Sequence, residues 1–244
     1  MKILTKTDIT NILLSLNIEK GMNLFIQSDL GKLGRIENGI LGLLESIFSV
    51  VGDKSTLVFP SYTFDIHDFN VLTTMPSTDI GSFSRYLFTN KIGTRTVHPI
   101  HSHIVIGEKE QEYTSKLNSY SFGKKSIFNQ MDNDDFYWLA IGASLERMST
   151  YFHHIEALVQ VPYREWITLD RNVVDHNNVN KIFKVEYYSR IFESQNVYNF
   201  KNIYDTLKSK RIIIKNNNFE IANFKELKSE TILQLKNNSN LFKC

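Results

Sequence analysis

The chain has one cysteine in 244 residues, Cys244 at its C-terminal end. One thiol cannot build a disulfide framework or a Cys-rich zinc site. A terminal position also suits a catalytic nucleophile poorly, because chain ends are seldom held in place. Charge of one sign is equally lacking. Twenty-eight Lys and Arg face 26 Asp and Glu, a net charge of +2, which gives no electrostatic footprint for a nucleic-acid partner. The densest basic stretch is Lys208, Lys210 and Arg211 beside Ile212-Ile213-Ile214, which reads as a helix end followed by a strand. No apolar run approaches the roughly 20 residues of a membrane span. The N-terminus turns polar at once, without the apolar stretch of a signal peptide. A soluble cytoplasmic protein is therefore expected, with no nucleic-acid partner, no membrane span and room for a homo-oligomer.

Familiar motifs are missing too. Phe122-Gly123-Lys124-Lys125-Ser126 ends like a phosphate-binding loop, but Asn118 stands where its first glycine belongs. Gly142-Ala143-Ser144-Leu145-Glu146 lacks the second glycine of a nucleophile elbow. No Gly-x-Gly-x-x-Gly occurs. Nucleotide hydrolysis, serine hydrolysis and dinucleotide redox chemistry lose ground together.

What is present is 42% hydrophobic and 22% charged residues, the usage of an ordinary globular α/β chain. Thr7-Asp8 offers a cap for a helix with Ile9, Ile12, Leu13, Leu14 and Leu16 on its apolar side. Met22 to Ile26 reads as a buried strand and is followed by the polar, glycine-containing segment Gln27 to Gly34. A helix from about Glu37 to Val51 and a strand from Thr56 to Phe59 closed by Pro60 come next. Strand, loop, helix, strand is the order of a parallel βαβ unit. Further buried strands are expected at Ile104–Gly107 and Phe136–Gly142, with helices near Glu108–Leu117 and Thr150–Val161. Residues 165 to 190 suggest strands around a polar Asp175–Asn180 turn. The tail reads as helix, strand, an Asn216-Asn217-Asn218 turn, strand and helix. Only four prolines occur, and no linker or repeat divides the chain. One domain over 1–244 is expected, layered α/β/α around a mostly parallel or mixed sheet, with a smaller β-rich C-terminal portion. Ligands in such sheets bind beyond the carboxyl ends of the strands, so the segments after Ile26, Phe59 and Ile141 are the places to look.

Histidine is the informative residue type. Three of the seven fall in Thr96-Val97-His98-Pro99-Ile100-His101-Ser102-His103 and two in Thr150-Tyr151-Phe152-His153-His154-Ile155-Glu156. His101 and His103 would face the same way on a strand. With His98 they leave open a metal-dependent hydrolase or deacetylase. On a helix, His153 and Glu156 share one face. A cap at Thr150 would put the positive helix end near His153 and lower its pKa, while the carboxylate fixes its tautomer. That pairing suits a general base, and a surface ion pair is its bland alternative.

These segments, taken in order, resemble the aminoglycoside 3-N-acetyltransferase family, of the antibiotic N-acetyltransferase fold, which is distinct from the GCN5-related acetyltransferases. The resemblance runs over roughly residues 20 to 165. Its carriers are Ser28-Asp29-Leu30-Gly31-Lys32-Leu33-Gly34, Leu57 to Thr63, Thr74-Met75-Pro76-Ser77 leading to Gly81, Arg95-Thr96-Val97-His98-Pro99 with Ser102, Phe122-Gly123 with Ser126, and Thr150-x-x-His153-x-x-Glu156. It implies acetyl transfer from acetyl-CoA to an amine of an amino sugar, with His153 and Glu156 catalytic and no metal. It implies coenzyme contacts from Ser28, Asp29, Leu30, Gly31, Arg95, Thr96, His98 and Ser102. The tetrahedral intermediate needs donors, which backbone amides or a hydroxyl such as Thr63 or Ser102 would supply. Tyr62, Thr63, Phe64 and Asp65 would hold the acceptor, the aromatics stacking on a sugar ring.

Gln27, Asp29, Arg85 and Phe88 depart from the family's pattern. Lys32 is placed to offset the extra carboxylate of Asp29. Carboxylates near the expected site are few (Asp65, Asp68, Asp79, Glu156), and Asp132, Asp134 and Asp135 form an acidic patch at the far end of a strand. A metabolic or surface-glycan amino sugar, nucleotide-linked or not, therefore suits the chain better than a polycationic antibiotic. A non-catalytic binding module on the same fold is the third reading.

Overall fold

A computed structural model of the chain describes residues 3–115, 117–144, 149–191, 203, 210–214 and 217–242. Cys244, Lys208 and the helix expected ahead of Lys210 lie outside them, Ile203 apart. Helix α1 (Lys6–Ser15) begins two residues before the expected cap. Thr5 accepts from the Asp8 amide and the Asp8 carboxylate accepts from the Thr5 amide, a reciprocal pair that satisfies two donors at once. Ile9, Ile12, Leu13 and Leu16 are buried, whereas Leu14 is 53% exposed, one step off the i, i+3, i+4 stripe.

The expected βαβ unit is present as β1 (Asn23–Ser28), α2 (Gly39–Val51) and β2 (Thr56–Pro60). After β3 (Asp68–Asn70), α3 (Ser82–Thr89), β4 (Thr94–Arg95) and β5 (His103–Gly107) come α4 (Glu110–Thr114) and α5 (Ile127–Asn133). Then follow β6 (Phe136–Ile141), α6 (Ser149–Val159), β7 (Arg164–Val174), β8 (Asn180–Arg190), β9 (Lys210–Ile214), β10 (Asn217–Asn223) and α7 (Phe224–Asn237). Seven strands make one sheet in the order β4-β5-β2-β1-β6-β10-β9. Strands β2, β1 and β6 pair in parallel with one another, and every other pairing in the sheet is antiparallel. The sheet is mixed.

Side-chain alternation sorts this sheet into two faces. Leu24, Ile26, Leu57, Phe59, Leu139 and Ile141 pack with Ile9 and Leu13 of α1, Leu43 and Ile47 of α2, and Phe83 and Leu87 of α3. Phe25, Val58, Trp138 and Ala140 pack instead with Phe128 of α5, Ile155 of α6 and Leu227 of α7. The result is an α/β/α sandwich, and each buried Leu, Ile or Phe contributes about 1.5–3 kcal/mol to it. The tail divides. The β7–β8 hairpin, turning at Asp175–Asn178, joins β3 in a separate three-stranded sheet over Phe69, Val97, Val173 and Val185. Strand β10 returns to the main sheet beside β6.

This wiring creates one switch point. From β1 the chain crosses to β2 on one side and later reaches β6 on the other, which opens a crevice at the carboxyl ends of the three parallel strands. Gly142 closes its floor. Its φ is +67°, and a Cβ there would lie 2.3 Å from the Asp29 carbonyl oxygen, so only glycine lets the end of β6 meet the loop after β1. The Asp29 amide donates to the Ile141 carbonyl across the same junction, at 2.8 Å.

Candidate active site

Helix α6 delivers His153 and Glu156 to one face, as the three-residue spacing requires. Nδ1 of His153 lies 2.6 Å from Oε2 of Glu156. Glu156 is fully buried, and three groups hold it: His153, the Tyr163 hydroxyl that donates to Oε1 at 2.7 Å, and Arg164, whose Nε lies 2.9 Å from Oε2. Arg164 is anchored by its own bond from Nη1 to the Tyr188 carbonyl, 2.8 Å. Its Nη2 lies 2.9 Å from His153 Nδ1, but that nitrogen cannot accept from Arg164 while donating to Glu156. The shorter contact to an anion assigns its proton to the Glu156 bond and leaves Nε2, 3.3 Å from the same Arg164 Nη2, as the basic nitrogen.

Burial is the main cause that lowers the His153 pKa; Glu156 pulls it back up, and Arg164 and Arg190 push it down again. The imidazole is therefore neutral at pH 7. This corrects the expected cause, since the effect of the helix end is not needed. Burial pushes the Glu156 carboxyl up, yet His153, Arg164 and Tyr163 together bring it below its ordinary range, so it stays ionised. The His153 side chain keeps 16% of its surface exposed, and the ring of Phe122 meets it edge-on at 5.9 Å. A neutral, partly exposed imidazole with a fixed tautomer and a buried counter-charge is equipped to take a proton from an incoming amine.

One turn before His153, Thr150 lies inside α6, not at its cap, and its hydroxyl bonds to Tyr62. Thr150, Tyr62, Phe64, Ser28, Asp29 and Asp79 line a cavity of about 220 Å³ at the carboxyl ends of β1, β2 and β6, where the topology puts the crevice. Ser28, Asp29, Tyr62 and Phe64 thus come together as expected. Leu30 and Gly31 follow on the short turn Leu30–Lys32, and Lys32 pairs with Asp29 at 3.1 Å. Asp65 is exposed beside Phe64 with φ +56°.

The remaining expected residues lie elsewhere. Thr96 and His98 face a second cavity of about 440 Å³, with Lys124, Lys125 and Ser126. Arg95 is buried, and its guanidinium donates to Ser102 Oγ at 3.0 Å, to the Ser61 carbonyl at 2.5 Å and to the Thr74 carbonyl. Phe69 and Phe88 sandwich it, and burial lowers its pKa to about 9. The hydroxyls of Thr63 and Ser102 donate to the carbonyls of Pro99 and Ser61. Neither has a proton left for a reacting carbonyl, which corrects that expectation. Gln27 accepts from the Trp138 indole at 2.9 Å and Arg85 donates to the Pro76 carbonyl at 2.7 Å, so one of these departures from the family's pattern links β1 to β6 and the other links α3 to the loop before it.

His101 and His103 do face the same way, each edge-on to Tyr62 at about 5 Å between ring centroids. With His98 they form a buried aromatic cluster, of which His98 and His101 line the second cavity. His98 Nδ1 accepts from the amides of Ile100 and His101, which occupies one of its two nitrogens. Among the described residues no group of three or more His, Cys, Asp or Glu is placed to hold a shared ion. The metal-hydrolase reading thereby loses its ligand set. No helix among the described residues is long and apolar enough to cross a membrane.

A family model described as aminoglycoside 3-N-acetyltransferase matches residues 25–238. The chain belongs to that family. It is an acyltransferase that uses acetyl-CoA. It is 22% identical over 215 residues to the SPbeta prophage-derived aminoglycoside N(3')-acetyltransferase-like protein YokD of Bacillus subtilis (strain 168), covering 78% of each chain. The fold is similar to that of AAC-IIIb, whose structure is a binary complex with CoASH: TM-score 0.82, 15% identity, 97% of both chains. It is also similar to AAC-VIa bound to sisomicin: TM-score 0.82, 14% identity, 97% of this chain and 98% of that one.

In this acetyltransferase, sequence reasoning missed Tyr163 and Arg164, which complete the Glu156 site. The available signal was a Pro162 break followed by an arginine at the start of a strand. It also missed a buried network behind α6. Asp132, read from the sequence as part of an acidic patch, is 3% exposed and bonded to His154, Tyr151 and Lys228. Asp134 pairs with Lys109 and Tyr113, and Asp135 with Lys225.

Proposed function

We propose that the protein transfers an acetyl group from acetyl-CoA to one amine of an amino sugar by direct attack, with His153 as general base. The observation that carries this reading is the 2.6 Å His153–Glu156 contact locked by Tyr163 and Arg164. Nε2 of His153 takes the proton that an attacking amine must lose. As the C–N bond forms and the thioester C–S bond breaks, His153 returns a proton to the leaving sulfur. Glu156 bears the opposite charge while the imidazolium exists, and Arg164 keeps Glu156 ionised. Such a base contributes about 10²–10⁴-fold.

The loop Ser28-Asp29-Leu30-Gly31 is placed to hold the donor, its extra carboxylate already countered by Lys32. Arg95 and Ser102 support that side from within by fixing the carbonyls of Ser61 and Thr74. Tyr62, Phe64 and Asp65 are the acceptor side, with the Phe64 ring 38% exposed for a sugar face. Relatives named for aminoglycosides make that class the first to test. The charge around the mouth favours an acceptor with fewer ammonium groups: Asp29 and Glu156 already have cationic partners, which leaves Asp65 and Asp79 as the nearby carboxylates.

Calorimetric titration with acetyl-CoA, followed by thiol release from parallel panels of aminoglycosides and of simple or nucleotide-linked amino sugars, tests both parts. Micromolar donor binding with kcat/KM highest on a simple or nucleotide-linked sugar is the expected result. A kcat/KM highest on an aminoglycoside overturns the finer reading and keeps the class. Absence of donor binding at millimolar acetyl-CoA overturns the reading as a whole.

A further inference from the structure

Directly after His153 comes a second histidine; neither residue is among those lining the two cavities, and the second is the more deeply buried. His154 is fully buried and, one residue on, points about 100° away around the helix. Each of its ring nitrogens has a defined partner. Nδ1 receives the Gly123 amide at 3.1 Å and lies 3.2 Å from Ser126 Oγ, which itself donates to the Gly123 carbonyl. Since Nδ1 accepts, Nε2 carries the proton, and it donates to Asp132 Oδ2 at 3.0 Å. Asp132 is in turn held by the Tyr151 hydroxyl on Oδ1, 2.5 Å, and by Lys228 on Oδ2, 2.7 Å. The Tyr151 ring stacks on Phe224 at 4.0 Å and its hydroxyl also reaches the Phe224 carbonyl.

The network therefore joins four pieces of chain: α5 through Asp132, α6 through Tyr151 and His154, α7 through Phe224 and Lys228, and the turn Gly123–Ser126. Two of these position the base. Helix α6 carries His153, and the turn carries Phe122, whose ring meets the His153 ring on one side and His101, 4.8 Å away, on the other. An apolar residue at 154 could bury equal surface but could not fix rotation. Two opposed hydrogen bonds, one to each side of the ring, leave one orientation for the helix and one for the turn.

Resting on the assignment of His153 as base, we propose that the Asp132–His154–Gly123 chain is a positioning device that sets the rotation of α6 and the packing of Phe122, so that the Nε2 edge of His153 meets the acceptor amine. His154 does not touch substrate; it acts through His153. Misplacing a catalytic group by about 1 Å costs on the order of a hundredfold in turnover, which sets the scale.

Three variants separate the arms. His154→Gln keeps a donor toward Asp132, His154→Asn keeps an acceptor toward Gly123, and His154→Leu keeps neither. The readout, on the full-length protein, is the ring ¹⁵N spectrum of His153 with thermal unfolding measured alongside. Wild-type His153 is expected as a single Nδ1–H tautomer. In His154→Leu that signal should split between tautomers, with partial restoration in Gln and Asn. Turnover on whichever acceptor is processed fastest should fall about a hundredfold and about tenfold, in that order, with the KM for acetyl-CoA changed less than threefold. A lowered Tm with the His153 tautomer and kcat untouched would make the network purely structural and overturn the proposal. If His154→Leu fails to fold, the Gln and Asn variants carry the same comparison. A mixed tautomer in the wild type would instead sink the assignment of the base, and His153→Ala, retaining activity, would say the same by a separate route.

Discussion

His153 and His101 both pack on Phe122, at 5.9 and 4.8 Å, yet their surroundings differ. His153 has a carboxylate, a guanidinium and a partly exposed side chain. His101 is 4% exposed, lies among Tyr62, Phe122 and Tyr187, and its Nδ1 has no hydrogen-bond partner among the described residues. Two residues of the same type, in one aromatic patch, thus divide into a charge-paired imidazole, the proposed base, and a wall. Histidine content does not locate chemistry here; the presence of a counter-charge does. An imidazole that must gain a proton in the transition state needs a fixed anion to receive the charge, whereas a wall histidine needs only to stay neutral.

The sharpest way to break this comparison is to delete each side in turn. His153→Ala is expected to lower kcat by about 10³-fold with acetyl-CoA affinity nearly unchanged, because a base acts in the transition state. Glu156→Gln should cost less, about 10–100-fold, since the ring remains but its proton and charge are less well held; steady-state kinetics and donor titration check both. Should His153→Ala lose donor binding as fully as turnover, the base would have to be reassigned as scaffold.

The wall answers to acid. Burial lowers the pKa of His98 and of His103 to about 3 and that of His101 well below its ordinary value. In the unfolded chain each titrates near 6.5, so below that pH the unfolded state binds protons that the folded state refuses. Stability is fully present above about 6.5 and is lost as pH falls, by about 1.4 kcal/mol per pH unit for each group and roughly 4 for the three. Denaturant unfolding between pH 7 and 5 measures this. A flat profile would mean that water or a ligand reaches the cluster.

Arg95 draws the same line between site and support. Its three acceptors and two aromatic faces describe a strut. Arg95→Met should therefore cost about 3 kcal/mol of stability, with donor affinity of the folded protein within about twofold. A tenfold loss of affinity with Tm unchanged would return Arg95 to the coenzyme side, where the sequence alone puts it.

The sequence marks Arg95 as functional because a polar residue in an ordered motif series looks the same whether it meets ligand or backbone. Only the positions of Ser61 and Thr74, which are far away in the chain, decide. The same limit explains the other misses. The apolar runs of β1, β2 and β6, bounded by Gly21, Pro60 and Gly142, were legible because burial on both faces leaves no polar alternation. His153 and Glu156 were legible because helical spacing is local. The burial of Asp132 was not legible, since its partners His154, Tyr151 and Lys228 come from two later helices. The pairing of β3 with β7 and the return of β10 beside β6 are non-local as well. They leave no trace in the hydrophobic period.

The smallest expected effect tests the loop after β1, the counterpart of the α6 site across the crevice. Asp29 and Lys32 form a 3.1 Å pair with side chains 34% and 47% exposed. Such a surface pair is worth about 0–1 kcal/mol, so Lys32→Ala should leave Tm almost unmoved. Its consequence for binding is different in kind. If the loop faces the diphosphate of the donor, removing Lys32 uncovers the Asp29 carboxylate against like charge. At about 1 kcal/mol for partly screened charges near 4 Å, acetyl-CoA affinity should fall about fivefold. Asp29→Ser, which removes the repelling charge, should hold or improve it. Both differences should shrink as ionic strength rises from 0.01 to about 0.15 M, where the screening length drops to about 8 Å. Equal affinities for the two variants at low salt would place the diphosphate away from this loop and leave Ser28–Gly31 as a lip of the crevice, with the donor seated nearer Lys124 and Lys125.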